Sequence, residues 1–207
     1  GRPAGVGRIA ALRVLARTLF LAVLGSGTPW PDVPGVTLGN LGGGMAMLAL
    51  LWWMGQRAAE AVDDAPSGLR PWALLGLLVL GIQIGLGAWT SASFAGPACT
   101  SLPGCDGAWQ SLENLRQGFD PTARLAIDDG GMVITGPVQK TLHMVHRLGA
   151  VVTFLFLAAL AFRAATLNAR FRATAITIMV LLVIQVGLGL AGVLTGLPLL
   201  LVTAHNA

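Results

Sequence analysis

The sequence predicts an all-α, polytopic transmembrane helical bundle, and three observations carry that reading. Hydrophobic residues make up 55% of the 207 residues and charged residues only 11%, whereas soluble domains run at about 45–50% apolar and about 25% charged. Mean hydropathy is +0.74, and the apolar residues gather into runs approaching the roughly 20 residues that one helical crossing of a bilayer needs. Strand-like alternation is nowhere sustained, which disfavours a β-barrel. The same arithmetic excludes an ordinary soluble domain, a disordered chain and a coiled coil.

Six apolar segments mark the elements, at residues 9–25, 38–55, 71–91, 138–162, 173–194 and 198–207. The first is the weakest, because it carries Arg13 and Arg17 and runs into Gly25-Ser26-Gly27-Thr28-Pro29. The others lack acids and hold one interior charge, Arg147, so spanning helices satisfy their backbone most simply. The chain opens Gly1-Arg2-Pro3 and stops at His205-Asn206-Ala207 within an apolar run. The expectation is a fragment of a longer protein, and no secretory signal is evident.

Arg and Lys in the connections set the expected direction. Arg2, Arg8, Arg13 and Arg17 precede or enter the first segment, Arg57 and Arg70 lie in 56–70, and Arg163, Arg170 and Arg172 lie in 163–172. The alternate connections 26–37 and 195–197 hold neither Lys nor Arg. The basic connections therefore belong in the cytoplasm and the long connection 92–137 outside, as in a bacterial inner membrane protein. Trp30 and Trp89 near one face, and Trp52, Trp53 and Trp72 near the other, suit interfacial belts. The net charge of +4 is then an orientation signal rather than a nucleic-acid footprint, because no basic cluster is interleaved with aromatics.

Both cysteines, Cys99 and Cys105, lie in the outer connection within a turn-rich stretch. An oxidising compartment favours a disulfide between them. Their spacing is not that of a CxxC redox motif, and no His or further Cys accompanies them as a zinc site would require. A structural disulfide, an exchangeable redox pair and free thiols all remain open at this point.

Two segments carry nearly the same phrase, Ile82-Gln83-Ile84-Gly85-Leu86-Gly87 and Ile184-Gln185-Val186-Gly187-Leu188-Gly189. One amide beside small residues suits close helix packing in lipid, and lining a cofactor pocket is the other reading of Gln83 and Gln185. A second echo sets Val36-Thr37-Leu38-Gly39-Asn40 beside Val202-Thr203-Ala204-His205-Asn206, with Gly39 where the later copy has a histidine. Duplication of a helical module explains both.

All three histidines, His143, His146 and His205, fall in apolar segments, where an ionisable group is costly to bury and functional by default. Counted from the outer helix ends, His146 lies about 8 residues deep and His205 about 7, or roughly 12 Å and 10 Å. Two imidazoles at matching heights on separate helices suit bis-axial ligation of a haem iron, with His146 and His205 as the metal ligands. Propionates would then face Arg147, Lys140 or Arg124. A hydrogen-bonded core histidine and a proton relay are the rival readings. His143, three residues before His146 on nearly the same face, is the lesser ligand candidate.

The ordered combination of Phe94-Ala-Gly-Pro-Ala-Cys99 through Pro103-Gly-Cys105-Asp-Gly-Ala-Trp109, then His143-Met-Val-His146-Arg147-Leu-Gly-Ala, then Leu197-Pro198 through Thr203-Ala-His205-Asn206-Ala207 resembles the haem A synthase family over residues 34–207. The resemblance implies an eight-helix membrane oxidoreductase of two similar four-helix halves. Such an enzyme oxidises the C8 methyl of its substrate haem O to the formyl group of haem A, for terminal oxidases. It divides the chain into 1–66, the end of the first half, and 67–207, the second half with a truncated last helix. His146 and His205 fall on the family's second-half haem b ligands, and Cys99 and Cys105 on its extracytoplasmic cysteine pair. No catalytic residue is assigned within these residues, and the fragment alone is expected to be inactive. Implied partners are membrane lipid, the haem O synthase that supplies the substrate, an electron donor and a second copy of the chain in a homo-oligomer. The competing classes are an electron-transfer cytochrome with the same ligands, a thiol–quinone oxidoreductase using the cysteines, and a transporter, which the lack of midplane charges disfavours.

Overall fold

The computed structural model describes residues 12, 14–16, 18–20, 34–58, 68–105 and 111–206. Residues 12, 14–16 and 18–20 are helical, and the rest of the 9–25 segment, with Trp30, lies outside the described residues. The elements that follow are α1 (Pro34–Ala58), α2 (Arg70–Ala92), the short α3 (Leu112–Gly118), α4 (Pro137–Leu167), a 3₁₀ turn (Ala169–Phe171), α5 (Arg172–Leu194) and α6 (Leu199–Asn206). Among the described residues the only β pairing is an isolated bridge between Ile127 and Val133.

Among the described residues three stretches are long and apolar enough to cross a membrane: Arg70–Ala92, Pro137–Leu167 and Ala169–Leu194. With 25 residues α1 has sufficient length, but Gly39, Asn40, Gly42, Gly43 and Gly44 dilute its apolar character. Large side chains such as Leu77 (65%), Leu155 (62%) and Phe162 (73%) stand exposed along the helices, a distribution that a water-facing surface would not tolerate. The protein is an all-α membrane bundle whose outer surface is solvated by lipid chains.

Local chemistry explains where the helices begin and end. Pro71 and Pro137 occupy first-turn positions of α2 and α4, where the missing N–H costs nothing. Gln139 Oε1 accepts from the Gly136 N–H at 3.0 Å and ties back the start of α4. That helix runs to Leu167, five residues past the expected end, so Arg163 sits on the helix and the connection to α5 shrinks to Asn168 and the 3₁₀ turn. The segment Phe162-Arg163-Ala164-Ala165-Thr166-Leu167 contains no Gly or Pro to stop it. Asn168 then caps the 3₁₀ turn, accepting from the Arg170 N–H at 3.0 Å.

α2 and α4 pack closely through small residues. A Cβ on Gly76 would meet the Leu160 and Leu157 side chains at 3.1 and 3.2 Å, so the glycine is what permits the approach. The 92–137 connection docks a short helix. Ser111 Oγ accepts from the Asn114 N–H to start α3, and a Cβ on Gly118 at its end would lie 3.0 Å from Leu142. The Trp89 indole N–H donates to the Gly118 carbonyl at 2.7 Å, and its ring stacks on Phe119 at 6.0 Å. Trp89 is thus a buried contact within the protein rather than a lipid-facing belt residue, because the folded connection covers it. Beyond α3, the Thr122 hydroxyl and amide both donate to the Asp120 carboxylate, holding its pKa below the ordinary value.

α5 and α6 are joined by a tight turn. Gly196 (φ 77) and Leu197 (φ 61) both adopt the left-handed conformation, and the Leu197 N–H donates back to the Gly192 carbonyl at 2.7 Å. Glycine takes that conformation freely, whereas leucine does so at a cost of roughly 1–2 kcal/mol. Pro198 follows, and α6 folds back against α5.

Candidate functional site

α4 carries three chemistry-bearing side chains within one turn and a half, and it aims them in two directions. His143 and Arg147, spaced i and i+4, share a face turned to the 95–105 stretch. His143 is buried, and its Nδ1 donates to the Ala95 carbonyl at 3.1 Å. The Arg147 guanidinium donates to the carbonyls of Ser101 at 2.7 Å and Cys99 at 3.0 Å, with a longer contact of 3.4 Å to Pro103. These bonds fasten the 95–105 stretch onto the helix. Within it Cys99 and Cys105 form a disulfide, both almost wholly buried and packed against Met144. The free-thiol alternative is thereby removed.

His146 faces the other way, toward α2 and α6. Its ring lies beside that of His205, with centroids 6.4 Å apart and planes at 77°. The geometry thus separates the histidines: His146 and His205 come together, while His143 serves the loop. Because Arg147 already serves three carbonyls, its expected role as a propionate partner would require it to leave the loop.

Each ring of the pair rests on a glycine. A Cβ on Gly87 would stand 3.0 Å from His146 Cε1, and one on Gly189 would stand 3.1 Å from His205 Cε1. Gly87 and Gly189 are the closing residues of the repeated phrase, so the echo marks two equivalent seats for two equivalent rings. The sequence reading took those small residues as helix-packing surface. The signal that finds their role is their fixed distance behind Gln83 and Gln185 in both copies.

Gln83 reaches His146 directly: its Nε2 donates to His146 Nδ1 at 3.0 Å and to the His146 carbonyl at 3.2 Å. Gly149 makes the room, since a Cβ there would collide with Gln83 Oε1. Two polar atoms at the site are buried without a hydrogen-bond partner, Gln83 Oε1 and His205 Nδ1. Gly39 is exposed on α1. An apolar groove of about 330 Å³ beside it, lined by residues including Leu41, Gly42, Gly81 and Gly85, separates α1 from α2.

Among the described residues no cluster of three or more His, Cys, Asp and Glu side chains is placed to hold a metal ion. The pair does fit a metal held from two sides. A metal–imidazole bond is about 2.0–2.1 Å and a ring centroid lies about 1.1 Å behind its nitrogen, so a ligand pair across one metal separates its centroids by about 6.3 Å. The observed 6.4 Å is compatible with that separation, and His205 Nδ1 is buried without a partner.

Comparison with known proteins decides the family. Residues 34–207 match the family of cytochrome oxidase assembly proteins. Over 200 residues, 94% of this chain, the sequence is 33% identical to the haem A synthase of Shewanella oneidensis. The chain belongs to the haem A synthase family. It spans 60% of the length of that relative. Within the family match fall the disulfide, the two loop anchors on α4, the histidine pair and both glycine seats.

Proposed function

We propose that this chain is the haem b-binding half of a haem A synthase, an oxidoreductase that converts the C8 methyl of haem O to the formyl group of haem A. The observation that carries the proposal is the His146–His205 pair, two imidazoles on separate helices with ring centroids 6.4 Å apart. In this reading His146 and His205 would hold the haem iron, and the group would supply one-electron transfer in a low-dielectric site. Gly87 and Gly189 leave room for the ring edges. The bundle excludes water, and the anchored disulfide loop covers the outer end.

The two halves are proposed to divide at residues 1–66 and 67–207, with the echo of Val36-Thr37-Leu38-Gly39-Asn40 in Val202-Thr203-Ala204-His205-Asn206 as their internal signature. Basic connections would face the cytoplasm and loop 92–137 the outside of a bacterial inner membrane. Haem O would arrive from its synthase, and oxidation of the substrate would use groups of the first half. The test uses the full-length protein reconstituted in membranes with haem O, followed by chromatography of extracted pigments. Appearance of haem A in the wild type and its loss in His146→Ala and His205→Ala are the expected results. A wild type that binds haem b but leaves haem O unchanged would instead identify an electron-transfer cytochrome.

A further inference from the structure

The contact between Gln83 and His146 is more than helix packing, because it engages His146 Nδ1 and leaves Nε2 as the ring nitrogen open to a metal. An imidazole that gives one nitrogen to a metal carries its proton on the other, and the acceptor of that proton fixes the ring and raises its basicity. Gln83 stands at that position, with Nε2 3.0 Å from His146 Nδ1. Its Oε1 is enclosed and unpartnered in the same orientation. The terminal torsion of a glutamine side chain is broad and two-fold, so a half-turn of the carboxamide brings Oε1 to Nδ1 and converts donor to acceptor, giving up the Nε2 bond to the His146 carbonyl. Gly149 lines the space in which the amide turns.

The second copy carries the same parts. Gln185 precedes Gly189 by one helical turn, as Gln83 precedes Gly87, so in each copy amide and glycine share a face. His205 rests on Gly189 by the same Cε1 edge, and its Nδ1 is buried with no partner. The second seat therefore repeats the glycine and the histidine of the first, with Gln185 at the register position that Gln83 holds in the other copy.

We propose that Gln83 and Gln185 are positioning residues for the histidine pair, each holding the Nδ1 proton of its own histidine through a carboxamide that turns from donor to acceptor when the ring takes up a metal. This inference rests on the haem-ligand reading above and adds to it the residues that set ring tautomer and orientation.

The test is a redox titration of bound haem in the full-length protein, with disulfide content and monodispersity in detergent as controls for folding. Gln83→Leu removes the acceptor, so the ligand becomes less basic, the ferric form loses stabilisation and the midpoint potential rises. Haem retention weakens by roughly 10–100-fold, the usual effect of losing such a partner. Gln83→Glu supplies a stronger acceptor and moves the potential the opposite way. Gln185→Leu behaves as Gln83→Leu does. Shifts of opposite sign for Leu and Glu support the proposal, because a packing role would move both alike. Unchanged potentials, or shifts of one sign, overturn it while leaving His146 and His205 as ligands. If His146→Ala retains the wild-type haem spectrum, the underlying ligand reading fails, and the positioning role falls with it.

Discussion

Gly87→Ala isolates the seat of His146 with the smallest possible change. The added methyl would lie 3.0 Å from His146 Cε1, whereas carbon atoms rest at about 3.5–4.0 Å. The ring must therefore retreat by about 0.5 Å, more than the roughly 0.2 Å latitude of a metal–ligand bond. Intrinsic helix propensity acts the other way, favouring Ala over Gly by about 0.8–1.0 kcal/mol, so α2 itself is not weakened. Gly85→Ala is the matched control, because a Cβ there meets nothing within 4 Å. The assay is haem content and the reduced-minus-oxidised spectrum of full-length protein purified in detergent. Gly87→Ala should retain haem roughly 10-fold less tightly with a perturbed low-spin spectrum, and Gly85→Ala should match the wild type. Wild-type haem content and spectrum in Gly87→Ala would refute the reasoning.

Two further substitutions probe the loop that Arg147 and Trp89 anchor. Arg147→Lys replaces a planar fork by a single ammonium that cannot serve the Cys99 and Ser101 carbonyls in the same way. At about 1.5–3 kcal/mol for each charge-assisted bond, the thermal midpoint should fall and the Cys99–Cys105 disulfide should be reduced faster by added thiol, and an unaltered reduction rate would contradict the anchoring role. Trp89→Phe keeps a ring beside Phe119 but leaves the Gly118 carbonyl without its indole donor, a loss of about 1–3 kcal/mol. Protease cleavage within 106–136 should accelerate, and unchanged cleavage would show that α3 is held by other contacts.

The helices were legible because hydropathy in lipid is a strong and local signal. Segments 71–91 and 173–194 fall within a residue or two of α2 and α5. α4 overran its expected end because hydrophobicity fades after Phe162 while helix-forming residues continue to Leu167. The docked helix α3 was missed because seven residues give too short a pattern, and its stability comes from Trp89 and Leu142, distant in sequence. At the site, the matching depths of His146 and His205 follow from helix rise alone. The division of labour between His143 and His146 does not, since a spacing of three residues leaves their shared or separate surroundings open, and only the fold shows His143 against the 95–105 stretch and His146 against α2 and α6. Likewise the Gln-x-x-x-Gly echo was visible as a repeat. Its relation to the imidazoles needed the fold, because packing glycines and seating glycines look identical in sequence.

The central claim is that His146 and His205 hold one iron between them, and electron paramagnetic resonance of the oxidised full-length protein tests it most directly. The account predicts a low-spin ferric signal from two imidazole ligands in the wild type, converted to high spin or lost in both His146→Ala and His205→Ala, and kept in His143→Ala. Persistence of the wild-type signal in either of the first two variants would contradict it.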